Sequence, residues 1–345
     1  LGIVIGAVLL AALVGWIDGV TGLEVSIALF YMLPVALVAW YVGWRMGIAV
    51  SIQCAVEGFL AGMEGFSTYS NAAIPYWNAF MMLGFYVALT LSLVALKRSL
   101  EHEATLAREI QESLLPRDLS LSPQIAIATA WIPSADVGGD YFDVFPLGSE
   151  KIGLCVADVA GHGIPAALLM SNLQAAARVI VNDSVTTAAL CAQLNERAVQ
   201  RFPAGIFVTF FYGVLDLPTY QLAYCNAGHN PPYLIKGDGS VRLLKGGGVA
   251  LGVIHPWNYQ EQGVRLEPGD RLVLFTDGLT EARSPTGELF GEERLVELLI
   301  RHRLLSPEAI KDAVLGAVSS FARRVFQDDV TLLCIAVGEN SETAP

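Results

Sequence analysis

Apolar positions along this chain fall into two regimes. Over the first 96 residues they form long runs, about 3–17, 25–43, 45–63 and 76–96, and beyond residue 117 they shorten to strand-length stretches parted by glycine, proline and acidic turns. A helix needs ~20 apolar residues to cross a bilayer, so the early runs predict four spans. The first is the least regular, because Gly15 and Asp18 interrupt it. A cleaved signal peptide would supply one such stretch, not four. These 96 residues carry one basic side chain, Arg45, and four acids, Asp18, Glu24, Glu57 and Glu64. Arg45 lies in the second connection and Lys97-Arg98 follow the fourth run. Basic residues favour the cytoplasmic face, which places the N-terminus and everything after residue 97 inside. Glu57 within the third run has two readings: a glutamate near a helix end facing the bundle, or part of a ligand or ion sensor with Glu24 and Tyr31.

From Leu96 the spacing changes. Leu96, Leu100, Glu103, Ala107, Ile110 and Leu114 recur at alternating four and three residues, a heptad seam with one polar breach, and Pro116 ends it. Under three heptads is short for an independent coiled coil. Two readings stay open: a linker helix that dimerises when tethered to paired membrane bundles, and an amphipathic helix packed on the following domain.

Past Pro116, period-2 and continuous apolar runs predict strands over 125–131, 141–145, 151–158, 207–216, 221–226, 233–235, 271–276 and 330–337. Helical patterns occupy 164–181, 186–201, 292–301 and 306–326. Strands and helices come in blocks rather than in alternation, which predicts an α+β layered fold with mostly antiparallel sheets. The organisation is then a helical membrane region over 1–96, a linker helix over 97–116, one soluble domain over 117–340 and a frayed tail over 341–345.

Acidic groups stand at the ends of these strands beside glycine-rich turns: Gly138-Gly-Asp-Tyr-Phe-Asp143, Val156-Ala-Asp-Val-Ala-Gly-His-Gly163, Phe275-Thr-Asp-Gly278 and Gln327-Asp-Asp-Val-Thr331. Aspartates in such places contribute little to a fold unless they converge. Oxygen donors converging from several strands suit a hard divalent cation. That points to metal-assisted hydrolysis or phosphoryl chemistry.

With Asn226-Ala-Gly-His-Asn-Pro-Pro232 added, these blocks resemble, in content and order, the bacterial SpoIIE-type branch of the metal-dependent PPM Ser/Thr phosphatases. The resemblance covers essentially all of 117–340. It implies an αββα sandwich with two Mn²⁺ or Mg²⁺ ions between the sheet edges. It implies Asp140 as a ligand of one metal, with Asp143 a nearby second candidate. Asp158 resembles the acid bridging both metals, with the backbone carbonyl of Val159 beside it. Asp277 and Asp328 resemble the acids on the other metal, and Asp329 replaces Asp328 if the register slips by one. The expected activity is hydrolysis of phosphoserine or phosphothreonine by a metal-activated water. The expected substrate is a phosphorylated STAS-type anti-anti-sigma factor, in a bacterial inner membrane protein that controls sigma-factor release. The chain departs from many relatives in having Val159-Ala160 rather than Gly-His after Asp158, and no arginine shortly before Asp140, so His162 is not given the acid role.

Other matches fail on context. His102-Glu103 lacks the downstream boxes of a histidine kinase, and Gly138-Gly-Asp lacks the upstream nucleotide-binding helix of a diguanylate cyclase. Cys191 and Arg197 have the spacing of a cysteine-phosphatase loop, but no glycine lies between them. The five cysteines show no paired spacing and read as small buried hydrophobes. A net charge of −12 argues against nucleic acid as a partner. The second functional reading is a membrane receptor whose phosphatase-like domain binds a partner without hydrolysis.

Overall fold

A computed structural model describes residues 1–21, 27–63, 71, 73–182 and 184–338. Glu24, Glu64 and the tail lie outside the described residues. The chain divides into two compact units, Leu1–Thr105 and Leu106–Pro345.

The first unit contains α1 (Gly2–Thr21), a 3-10 turn (Ala28–Tyr31), α2 (Met32–Tyr41), α3 (Trp44–Met63) and most of α4 (Ile74–Leu114). Among the described residues, three helices rather than four are long and apolar enough to cross a membrane: α1, α3 and α4. The second apolar run breaks the expectation. Its α-helix has 10 residues, which rise about 15 Å against a hydrocarbon core of about 30 Å. Pro34 confines the helix start, since proline is tolerated only in a first turn, and Gly43 at φ +114° reverses the chain directly into α3. Ser51 and Thr90 share a hydrogen bond of 3.2 Å, and a side chain at Gly47 would press on Thr90 at 2.6 Å. Glu57 takes a hydrogen bond from Gln53 at 2.8 Å on one oxygen, and its other oxygen is buried with no hydrogen-bond partner among the described residues.

The second unit adds strands β1 (Ile125–Ile132), β2 (Tyr141–Leu147), β3 (Lys151–Val159), β4 (Val208–Asp216), β5 (Gln221–Ala227), β6 (Tyr233–Ile235), β7 (Val241–Leu243), β8 (Gly247–Gly248), β9 (Gln262–Arg265), β10 (Arg271–Phe275) and β11 (Val330–Val337). Its helices are α5 (Gly163–Ile180), α6 (Thr187–Arg201), the single turn α7 (Asp277–Thr280), α8 (Gly291–His302) and α9 (Pro307–Phe321). One sheet runs β1-β11-β10-β6-β7; the other runs β2-β3-β4-β5-β8, with β9 also on β5. Helices α5 and α6 cover the second sheet, and α9, with α8 beside it, covers the first.

Side-chain alternation explains the four layers. On β10, Leu272 and Leu274 point into the core between the sheets, while Val273 and Phe275 join the second core beneath α8 and α9. On β11, Leu333, Ile335 and Val337 face the first core, and Val330, Leu332 and Cys334 face the second. Strands buried on both faces read as unbroken apolar runs, which is why both were visible in the sequence. The αββα order is the one the sequence resemblance implied. All five cysteines are buried thiols, and none forms a disulfide. Helix α9 opens as expected, with Ser306 Oγ accepting from the Ala309 amide at 3.3 Å ahead of Pro307. It stops five residues earlier than the apolar pattern, because Arg323 and Arg324 take positive φ.

Candidate functional site

Antiparallel pairing brings the acidic segments together. Tyr141 at the start of β2 lies opposite Ala157 near the end of β3, so Asp140 comes beside the strand end that carries Asp158. Phe275 at the end of β10 lies opposite Leu332 near the start of β11, so Asp277 comes beside Asp328 and Asp329. Asp158 itself lies opposite Thr209 of β4.

Burial and mutual charge act together on these groups. Burial pushes Asp158 up to about 7, and repulsion from Asp277, Asp328, Asp329 and Glu281 adds to it. Burial, with Asp328 and Glu281, pushes Asp277 up to about 6. Asp140 is held well above the usual carboxylate range by burial and by Asp158, partly offset by hydroxyls from Thr331 and Thr276. Burial also raises Asp328, where a hydrogen bond from the Asp329 amide and the nearby His162 act in the opposite direction. The groups that dominate Asp158 are all carboxylates. Oxygen donors that repel one another in the absence of a counter-charge are the donor set a hard divalent cation takes, so the residues present fit such an ion. Among the described residues, no three His, Cys, Asp or Glu side chains already stand in ligating array.

This repulsion has a sign that can be measured. Acids with raised native values bind protons more tightly folded than unfolded. Their contribution to stability is therefore complete below the ordinary value of 3.8 and lost as pH climbs through about 6 and 7. Thermal unfolding of the chelated protein should show its midpoint fall by roughly 5 °C between about pH 5 and 8. Asp158→Asn should flatten that fall.

Each acid has a distinct setting. Asp140 is 1% exposed, and its Oδ2 accepts from Thr276 Oγ1 and Thr331 Oγ1, both at 2.7 Å. Thr276 Oγ1 in turn accepts from the Thr331 amide at 2.9 Å, locking the end of β10 to β11. Asp329 has both oxygens committed: Oδ1 accepts from the Ser134 amide at 2.7 Å and hydroxyl at 2.9 Å, and Oδ2 from the Gly139 amide at 2.6 Å. It fastens the loop before Asp140. Gly138 is required there, since a Cβ would sit 2.5 Å from Asp329 Oδ2. Val159 is fully buried, and its carbonyl lies 3.0 Å from where a Cβ on Gly139 would be.

Asp143, the second candidate of the first block, has a different setting from the other acids. Its two oxygens accept from Arg178 Nε at 2.6 Å and Nη2 at 2.7 Å, and Tyr141 Oη donates to it at 2.6 Å. Arg178 comes from α5, so Asp143 faces the helix layer and anchors α5 to β2. His229 is likewise structural. It is 5% exposed, its Nε2 donates to the Phe275 carbonyl at 3.1 Å, and its Nδ1 accepts from Thr209 Oγ1 at 2.8 Å. Burial pulls it down to about 4, so it stays neutral while joining the two sheets behind the acids. Glu281 was missed by sequence reasoning. Its spacing of four from Asp277, one helical turn, was the available signal, and its amide donates to the Asp277 carbonyl at 2.7 Å.

The stage II sporulation protein E (SpoIIE) family model matches residues 148–338, more than half of the chain. The chain belongs to the SpoIIE family. Phosphoserine phosphatase RsbU of Bacillus subtilis is 29% identical over 245 residues, covering 71% of this chain and 72% of its own length. Protein IcfG of Synechocystis is 28% identical over 258 residues, covering 66% of this chain, which spans only 40% of that longer relative. Among solved structures, the SiaA-PP2C domain of Pseudomonas aeruginosa superposes with a TM-score of 0.62 at 25% identity, over 70% of this chain and 98% of that one. The second unit of this SpoIIE-family chain is therefore a PPM-type protein phosphatase domain.

Proposed function

We propose that this chain is a membrane-anchored, metal-dependent phosphatase that hydrolyses phosphoserine or phosphothreonine on a partner protein. The observation that carries the reading is a convergence of strand ends within a SpoIIE-family domain: β2–β3 pairing brings Asp140 beside Asp158, β10–β11 pairing brings Asp277 beside Asp328, and Thr276 Oγ1 donates to Asp140 Oδ2 between the two pairs. Asp140, Asp158, Asp277 and Asp328, with the Val159 carbonyl, would hold two divalent cations, Mn²⁺ or Mg²⁺. When bound, such ions would supply Lewis acidity for the attack of a water on phosphorus and positive charge beside the phosphoryl oxygens.

The chain's own residues supply the rest. Thr276 and Thr331 aim Asp140 and favour its charged form through two hydroxyl donors. Asp329 and His229 keep the two sheet edges at fixed spacing, and the neutral imidazole adds no positive charge to the cluster. No side-chain nucleophile is needed.

The SpoIIE-type resemblance supports a phosphorylated STAS-type anti-anti-sigma protein as substrate, in control of a sigma factor. Helices α1, α3 and α4 support anchoring in a bacterial inner membrane, with Lys97 and Arg98 marking the cytoplasmic side. A homodimer through α4 fits its apolar seam, where Leu96, Leu100 and Ile110 are 53%, 51% and 57% exposed. The test uses the full chain in detergent micelles with a phosphoserine protein. Phosphate release should require Mn²⁺, stop on chelation and return when Mn²⁺ is restored. An absence of both release and Mn²⁺ uptake at millimolar metal would instead favour the silent binding module.

A further inference from the structure

In the last part of α4, from Leu106 to Leu114, the buried residue is not part of the apolar seam. Ile110 is 57% exposed, whereas Gln111 beside it is 3% exposed. The Gln111 carboxamide meets one peptide group on each side of Gly138. Nε2 donates to the Gly138 carbonyl at 2.6 Å, and Oε1 accepts from the Gly138 amide at 3.0 Å. A side-chain amide paired this way substitutes for a neighbouring β-strand, satisfying a donor and an acceptor that burial would otherwise leave unmatched. Gly138 cannot compensate with a side chain of its own, because Asp329 fills that space. The next residue, Gly139, gives its amide to Asp329, and the one after it is Asp140. The segment leading into Asp140 is thus held from two sides, by the approach to β11 and by α4. Leu115, 9% exposed, seats the end of the same helix in the main core.

We infer that Gln111 is a positioning residue for the cation site: it fixes the Gly138-Gly139 backbone so that Asp140 is presented in its ligating orientation. This rests on the metal-dependent reading above. The residue is 29 positions from the acid it serves and touches neither cation nor substrate. Its loss should weaken metal uptake and leave chemistry at saturating metal nearly intact.

The experiment compares the full chain with Gln111→Met, which keeps length and removes both hydrogen bonds, and Gln111→Asn, which keeps the amide one carbon short. Three readouts are taken: Mn²⁺ binding by calorimetry, amide hydrogen exchange of residues 137–141 without metal, and the Mn²⁺ dependence of phosphate release. In both variants the Mn²⁺ dissociation constant should rise about tenfold, as for other residues that orient ligands. The 138 and 139 amides should exchange faster, and the rate at saturating Mn²⁺ should stay within about threefold of wild type. A purely structural role would lower the melting temperature without moving the Mn²⁺ constant, and that result overturns the inference. Gln111→Asn serves where Gln111→Met does not fold. Wild type that takes up no Mn²⁺ would sink the phosphatase reading and this inference together. Wild type and folded variants with equal Mn²⁺ affinity and exchange would sink the inference alone.

Discussion

The Asp158→Asn, Asp277→Asn double variant is expected to lose Mn²⁺-dependent phosphate release by a factor on the order of 10³ or more. The same variant should unfold at a higher temperature than wild type when no metal is present. Both outcomes follow from one arrangement. In the metal-free chain Asp158 is pushed up to about 7 and Asp277 to about 6, so their charges oppose the fold. Asparagine has nearly the same shape and removes the repulsion, which should raise the unfolding midpoint by a few degrees, roughly 3–5 °C. It also removes two anionic donors, so millimolar Mn²⁺ should stabilise wild type and leave the variant unmoved. Calorimetric titration, thermal melts with and without Mn²⁺, and phosphate release check the three parts. A double variant as active as wild type would exclude these acids from the reaction. A variant less stable than wild type without metal would mean that the carboxylates hold the fold together.

How much of this was legible in the sequence depends on whether a residue's role is local. Strand β11 and helix α5 declare themselves through period and turn chemistry, and their observed bounds differ from the pattern by no more than a residue. Strands β7, β8 and β9 carry no such signal, being short and rich in glycine or charge, and they form only because β5 and β6 offer edges to pair with. The second apolar run looked like a span because hydropathy counts residues and does not register the 3-10 turn or Pro34 that shorten its helix. At the site, Asp140 and Asp158 stood out through their glycine-rich turns. Asp143 shared that context, but its partner Arg178 comes from a helix 35 positions away, a pairing no local spacing reveals. Asp328 was preferred over its neighbour Asp329 only by register, and no local spacing showed that Asp329 bonds Ser134 and Gly139. Gln111 was hidden for the opposite reason: a heptad reading places a polar residue next to Ile110 in solvent.

The second large effect is expected at Gly278. Its φ is ordinary, and it lies in α7, so by helix propensity alone Gly278→Ala should stabilise by about 1 kcal/mol. Close packing reverses that sign. A Cβ at this position would lie 2.0 Å from the backbone oxygen of Asp329, 2.9 Å from its carbonyl carbon and 3.3 Å from Val330 Cγ2. The first two atoms are main chain, so no rotamer change relieves the clash; α7 or the start of β11 must move. Those two segments carry Asp277 and Asp328, and Asp329 also tethers the loop before Asp140. The substitution should therefore cost about 3 kcal/mol or more. That corresponds to a drop in melting temperature of roughly 6–12 °C for a unit of this size. It should also lower phosphate release at least about 100-fold at temperatures where the variant is still folded, because a displacement near 1 Å at a reacting site has that consequence. Gly237→Ala is the control. That glycine has nothing within 4 Å of a built Cβ, and its substitution should leave stability within about 0.5 kcal/mol. If Gly278→Ala instead retained wild-type Mn²⁺ affinity and turnover, the close approach of α7 to β11 would have no part in bringing Asp277 and Asp328 together.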